Sequence, residues 1–128
     1  MARVTGIGGV FLRARNPTEL RDWYREHLGI PLTVHGACTF HWAREAHVDR
    51  PGSTTLALFP AHTDYFGAAS QQVMLNLRVD DLAGLVERLR TQGVEVLPEL
   101  EDSEFGRFAW CVDPEGNRIE LWEPAEGM

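Results

Sequence analysis

Glu120 is the residue of this chain whose setting least suits an ordinary surface carboxylate. It sits between Ile119 and Leu121 in the run Asn117-Arg118-Ile119-Glu120-Leu121-Trp122-Glu123. Side chains alternate along an extended chain, so Glu120 shares a face with Arg118 and Trp122 while Ile119 and Leu121 point the other way. On a face that lines a cleft, Glu120 could be a general base or an anchor for a cationic ligand group. Alternatively, Arg13, Arg78 or Arg118 neutralises it within a buried ion-pair network.

Arg13, Asn76 and Arg78 lie at alternating positions of two other runs and are expected to project inward with it. A guanidinium there suits bidentate capture of a carboxylate, phosphate or enediolate oxygen; otherwise it is a strand-end charge paired with Glu120. Phe40, Trp42 and Trp122 could form aromatic walls that stack on a planar or cationic ligand, Trp122 first because it shares Glu120's parity. Trp110 shares parity with Phe108 and Val112 and reads as core. His41 lies mid-run and could transfer protons near neutral pH, with a surface or hydrogen-bonded structural role as the alternative. His35 and His47 share its spacing, but Gly36 breaks the run between them. His62 and Tyr65 fall in a polar stretch where Asp64-Tyr65-Phe66-Gly67 could form a lid, and His27 falls at a helix end, where it suits the dipole.

The elements that must position these residues come in two similar sets. Residues 4–15 alternate as a strand, loosened at the start by Gly6, Gly8 and Gly9. Asn16-Pro17-Thr18-Glu19 reads as N-cap, first helical residue and capping-box acid. Leu20, Trp23, Tyr24, His27 and Leu28 then mark the packed face of a helix closed by Gly29. Residues 30–35, 38–44 and 54–59 read as short strands, the last two separated by the turn residues Asp49, Pro51 and Gly52. After a linker over 61–72 the programme restarts. Residues 73–79 alternate, Asp80-Asp81 opens a helix striped by Leu82, Leu85, Val86 and Leu89, and Gly93 ends it. Residues 94–97, 105–112 and 117–123 follow as strands, the last two joined by the turn Asp113-Pro114-Glu115-Gly116-Asn117. The acidic run Glu99, Glu101, Asp102 and Glu104 reads as a solvated loop.

This is an internal repeat. Residues 9–16 lie over 74–81, so Arg13 matches Arg78, and residues 56–59 lie over 119–122, so Ala57 matches Glu120. The fold class is α+β: two tandem βαβββ modules, about 1–60 and 73–124, forming one curved mixed sheet around a cleft with the helices outside. At 128 residues the chain is expected to be a single domain. A formal net charge of −7 argues against nucleic-acid binding. No apolar run approaches a bilayer span and no signal segment is evident, so a cytoplasmic protein without membrane contact is expected. Cys38 and Cys111 have no metal-type spacing and read as free thiols.

The duplication, the segment Trp23-Tyr24-Arg25-Glu26-His27-Leu28-Gly29, the segment Val79-Asp80-Asp81-Leu82 and the closing Asp113-to-Trp122 motif together resemble the vicinal-oxygen-chelate superfamily of glyoxalases, bleomycin-resistance proteins and extradiol dioxygenases. The resemblance implies a U-shaped sheet around a small-molecule ligand and a homodimer. It also implies a divalent metal held by inward His and Glu on the first and last strands of each module. Through the repeat register those positions fall on Gly9, Ala57, Met74 and Glu120, of which Glu120 alone is a ligand type. The expected function is a glyoxalase- or bleomycin-resistance-like protein that binds a small molecule in its cleft with no cofactor. The alternative is a divalent-metal-dependent glyoxalase- or dioxygenase-like enzyme with a rearranged site using Glu120 and His41.

Overall fold

The computed structural model describes residues 1–28, 30–42 and 52–128, without the side chains of His27 and Leu28. The expectations for His27, for Gly29 as helix end, for His47 and for the turn at Asp49 and Pro51 fall outside the described residues. Nine elements follow in order: β1 (Val4–Ala14), α1 (Pro17–Leu28), β2 (Ala37–His41), β3 (Ser53–Pro60), β4 (Val73–Val79), α2 (Leu82–Thr91), β5 (Glu101–Ser103), β6 (Gly106–Val112) and β7 (Arg118–Pro124).

Both helices begin as their sequences require. Asn16 Oδ1 accepts from the Glu19 amide at 3.1 Å while its Nδ2 donates to Glu19, the reciprocal capping pair. Asp81 caps α2 by accepting from Gly84 N at 3.1 Å. The seven strands form one sheet in the order β2-β3-β1-β4-β7-β6-β5. At its centre β1 and β4, the first strands of the two modules, run antiparallel, and each has its module's last strand parallel on its other side. The register pairs Phe11 with Ala57 and, in the other module, Asn76 with Glu120, as the repeat requires. Two register shifts in β1, between Val4 and Gly6 and between Ile7 and Gly9, account for its glycines.

Alternation sorts the apolar residues onto two faces. On the outer face, Leu12, Leu58, Cys38 and Leu32 pack beneath Leu20 and Tyr24 of α1, while Val79, Leu121 and Cys111 pack beneath Leu82, Leu85 and Val86 of α2. On the inner face Phe11, Ala57, Met74 and Trp110 gather around Phe66, which the 61–72 linker inserts. The two-module α+β sheet with outer helices is therefore as expected.

Four local expectations need correction. Residues 30–35 are not a strand. Pro31 offers no N–H, and Gly36 at φ +77 turns the chain, so that Gly36 N donates to Thr33 O at 2.8 Å; Leu32 is buried as a plug under α1 instead. Residues 94–97 contribute one isolated bridge, Val96 to Cys111, and the segment ends at Pro98, which cannot extend the ladder. The acidic run expected as a loop supplies β5, a fully exposed edge strand whose charges keep that edge from pairing further. Trp23, expected to pack, is half exposed. Among the described residues no helix is long and apolar enough to cross a membrane.

Candidate functional site

The hairpin that carries Glu120 is fixed by its turn. Asp113 Oδ1 accepts from the amides of Glu115 and Asn117, each at 2.9 Å, and Gly116 takes φ +84. That turn sets the register of β6 against β7, so Trp110 stands directly opposite Glu120. Both face inward, while Ile119 and Leu121 face α2.

Glu120 is 2 % exposed, and three donors from this chain meet its carboxylate. Asn76 Nδ2 donates to Oε1 at 2.6 Å, and Oε2 accepts from Trp110 Nε1 at 3.0 Å and from the Tyr65 hydroxyl. Among the described residues no arginine takes part. Burial raises the Glu120 carboxyl above its ordinary value, and the bonds from Tyr65, Asn76 and Trp110 oppose that rise. Burial first, and then the charge of Glu120, push the Tyr65 phenol up as well. Tyr65 is set in place by stacking on Phe59, with ring centres 5.3 Å apart, and by an edge contact with Trp110.

Asn76 completes only half of its bonding. Its Oδ1 is buried without a hydrogen-bond partner and lies against the backbone of Gly8, where any side-chain carbon would overlap it. Beside this cluster is a cavity of about 240 Å³, walled by Phe11, Phe105, Phe108 and Trp122, with Thr39 and Thr55 opposite Asn76 and Glu120. Its volume lies just below the span of about 300–1,000 Å³ usual for ligand pockets, so it suits a compact ligand. Four larger hollows, about 1020, 530, 490 and 420 Å³, lie elsewhere on the described residues. The first borders Arg13, whose donors are already taken, and the other three are lined by no buried polar side chain. The smaller cavity is therefore the candidate site.

The residues singled out from sequence divide accordingly. Glu120, Asn76 and Trp122 meet at the cavity, and Trp122 stacks on Phe108 with planes 12° apart. Arg78 does not line this cavity but a hollow of about 490 Å³, its guanidinium carbon 5.1 Å from the ring centre of Trp122 and 5.8 Å from that of Trp42. Arg13 also faces inward but is consumed. Its Nε donates to Gln71 O at 2.6 Å, Nη1 to Ala61 O and Thr63 O, and Nη2 to Ala68 O, pinning the linker. Phe40 shares parity with Cys38, which packs under α1, so the register turns Phe40 to the outer face, away from the cavity. His41 is exposed on the edge strand β2 and is not among the donors to Glu120. His35 and His62 are exposed too. Trp110, read as core from sequence, is buried but binds Glu120. The five-residue turn predicts that pairing, since it places positions 110 and 120 opposite each other.

The model of the Glyoxalase/Bleomycin resistance protein/Dioxygenase superfamily matches residues 6–121. The chain belongs to that superfamily. Its fold is shared by solved structures. The crystal structure of methylmalonyl-CoA epimerase from Mycobacterium tuberculosis is 23% identical, with TM-score 0.65 over 95% of this chain and 89% of that one. A variant of methylmalonyl-CoA epimerase from Streptomyces coelicolor, in complex with 2-nitronate-propionyl-CoA, is 18% identical, with TM-score 0.69 over 96% and 99%. A superfamily member from Vibrio splendidus 12B01 is 12% identical, with TM-score 0.57 over 96% and 99%. No curated protein matches the chain.

The residues at the superfamily's metal positions do not fit a divalent ion. Met74 and Ala57 are buried in an apolar cluster, and a side chain at Gly9 would begin 2.6 Å from Thr55 O. At Glu120 the two N–H donors and the O–H donor point their positive ends at the oxygens a cation would need. Among the described residues no three His, Cys, Asp or Glu side chains are grouped to hold a metal.

Proposed function

We propose that this superfamily member binds a compact, planar small molecule in the cavity beside Glu120, without the superfamily's metal. The observation that carries this is the way Glu120 is held. Its carboxylate is satisfied by Tyr65, Asn76 and Trp110, so it builds the polar floor of a cavity whose walls are aromatic. Aromatic walls over a small set of fixed polar groups favour a flat ligand with one polar edge. The epimerases' names invite proton transfer, but both oxygens of Glu120 are occupied by the chain's own donors, which favours binding over chemistry.

The same reading takes the chain as a homodimer. Ile7, Val73 and Leu75 leave an apolar stripe 40–47% exposed on the outer face between the two helices, and a second copy would cover it.

Native mass spectrometry of the purified chain, followed by titration of small aromatic ligands against tryptophan fluorescence, tests the binding claim. Asn76→Leu and Trp122→Ala are each expected to weaken binding about tenfold or more. Binding that ignores both substitutions would place the ligand elsewhere and end the proposal.

A further inference from the structure

The carboxylate on the floor of the cavity has a charge that nothing in its surroundings balances. A fully buried glutamate is ordinarily paired with a cation, because an ionised group withdrawn from water loses its solvation. Glu120 is 2 % exposed, yet its three partners are an amide, an indole and a phenol, all neutral. Among the described residues no arginine or histidine makes an ion pair with it. The charge that reaches it from β5, that of Glu101, is negative too and adds to the burial that raises its carboxyl.

The lining of the 240 Å³ cavity shows the same deficit. Its polar side chains are Thr39, Thr55, Asn76 and Glu120, and among the described residues no arginine or histidine lines it. Acceptors there outnumber donors. An ionised carboxylate has about four lone-pair sites. Oε2 uses two of them, for Tyr65 and Trp110, and Oε1 uses one, for Asn76, so that one remains on Oε1. Asn76 turns its Nδ2 to Glu120 and thereby leaves its own buried Oδ1 with no donor. The indole N–H of Trp122 is already bonded to Phe105 O at 2.8 Å. On the opposite side the Thr39 and Thr55 hydroxyls bond each other at 2.8 Å, so at most one hydroxyl hydrogen is left over.

We propose that the cavity takes a planar aromatic ligand bearing a delocalised N–H cation, such as an amidinium or a protonated aminoheteroarene, and that Glu120 is its counter-ion. This rests on the reading of the cavity as a small-molecule site and names the ligand class. One N–H of the ligand takes the remaining lone pair of Oε1, and a second faces Asn76 Oδ1. The ring lies along Trp122 and Phe108, whose planes are 12° apart and whose faces attract a cation. A metal ion would need the carboxylate oxygens cleared of N–H and O–H groups; an organic cation with its own N–H groups needs only the one free site. The formal net charge of −7 draws such a cation towards the chain. The cation also competes with a proton for Glu120. Of the groups that bear on the carboxylate, Tyr65 of the linker and Glu101 of β5 can titrate, and Asn76 of β4 and Trp110 of β6 cannot.

The test titrates benzamidine and its neutral isostere benzamide against the full chain at pH 8, with tryptophan fluorescence as the readout. Benzamidinium is expected to bind about tenfold more tightly than benzamide. Glu120→Gln keeps the shape and removes the charge, and it should bring the two probes to equal affinity. Glu101→Gln removes an exposed charge and should change the preference by about twofold at most. Should Glu120→Gln fail to fold, the pH dependence of the parent chain decides. Benzamidinium affinity should then rise with pH through the raised carboxyl value and level off, while benzamide shows no such rise. Equal binding of the two probes, a preference that survives Glu120→Gln or is lost in Glu101→Gln, or a benzamidinium curve that is flat or falls with pH overturns the counter-ion claim. Each of those results leaves the cavity reading standing. Binding of neither probe overturns the ligand class, and the cavity reading is then decided by Asn76→Leu and Trp122→Ala with the ligands that native mass spectrometry finds.

Discussion

Arg13 and Arg78 occupy the same position in the two modules, one on β1 and one on β4, and both face inward. Their surroundings differ. Arg13 is buried and gives its guanidinium to four main-chain carbonyls of residues 61–71. Arg78 is half-buried at the opposite end of the cleft and bonds one backbone oxygen and one serine. The same contrast runs through the neighbouring pairs: Phe11 and Ala57 fill core in the first module, where Asn76 and Glu120 build a polar floor in the second. A duplicated scaffold fixes where a side chain points, and the segment packed on it decides whether that side chain is spent on structure or left for a ligand. Here the linker fills the first module's half beside Arg13, so the polar floor comes from the second module, with Phe11, Thr39 and Thr55 of the first completing the walls.

Substituting both arginines is the most forceful way to break this comparison. Arg13→Met leaves four linker carbonyls without their donor and is expected to cost about 3–5 kcal/mol in urea unfolding. Arg78→Met should cost less, about 1–2 kcal/mol, because it removes two bonds and not four, and the Ser53 hydroxyl keeps its bond to the Met128 oxygen. Similar losses at the two positions would mean that both arginines are structural. Next in size is Gly8→Ala, whose added methyl overlaps Asn76 Oδ1 and the Trp122 ring. It is expected to cost about 1–3 kcal/mol and to weaken ligand binding, because it pushes the cavity floor aside. Unchanged stability would show that Asn76 is not held where Gly8 permits.

The smallest effect sharpens the reading of Glu120. Burial raises its carboxyl in the folded chain, so the folded state holds the proton more tightly than the unfolded state. That stabilisation is complete below the ordinary carboxylate value of about 4.3 and fades as pH rises through the raised value. The stability of Glu120→Gln relative to the parent chain should therefore increase from pH 4 to pH 7. A difference that is flat, or that falls with pH, would mean that the three donors outweigh burial.

Much of this is legible in the sequence because periodicity and repeat register are local. Alternation around Glu120, the capping residues of both helices and the pairing of residues 9–16 with 74–81 give the faces, the outer helices and the position of the cleft. The rest depends on contacts between distant segments. Nothing local says that residues 61–71 will fold back onto Arg13, or that Tyr65 will reach Glu120 from 55 residues away. Alternation misassigns Phe40 to the cleft because it gives two faces without saying which is inner; Cys38 packing under α1 decides it. Residues 30–35 carry strand-like apolar residues, but Pro31 and Gly36 make them a largely exposed turn that buries Leu32 alone.

The central claim is that the second module's floor is completed by protein donors and not by a metal. Elemental analysis of the chain after equilibration with manganese, nickel and zinc tests it most directly. Far less than one ion per chain is expected, equal in the parent chain and in Glu120→Ala. Roughly one ion per chain that is lost in Glu120→Ala would contradict it, since a single protein carboxylate does not hold such a metal without other ligands.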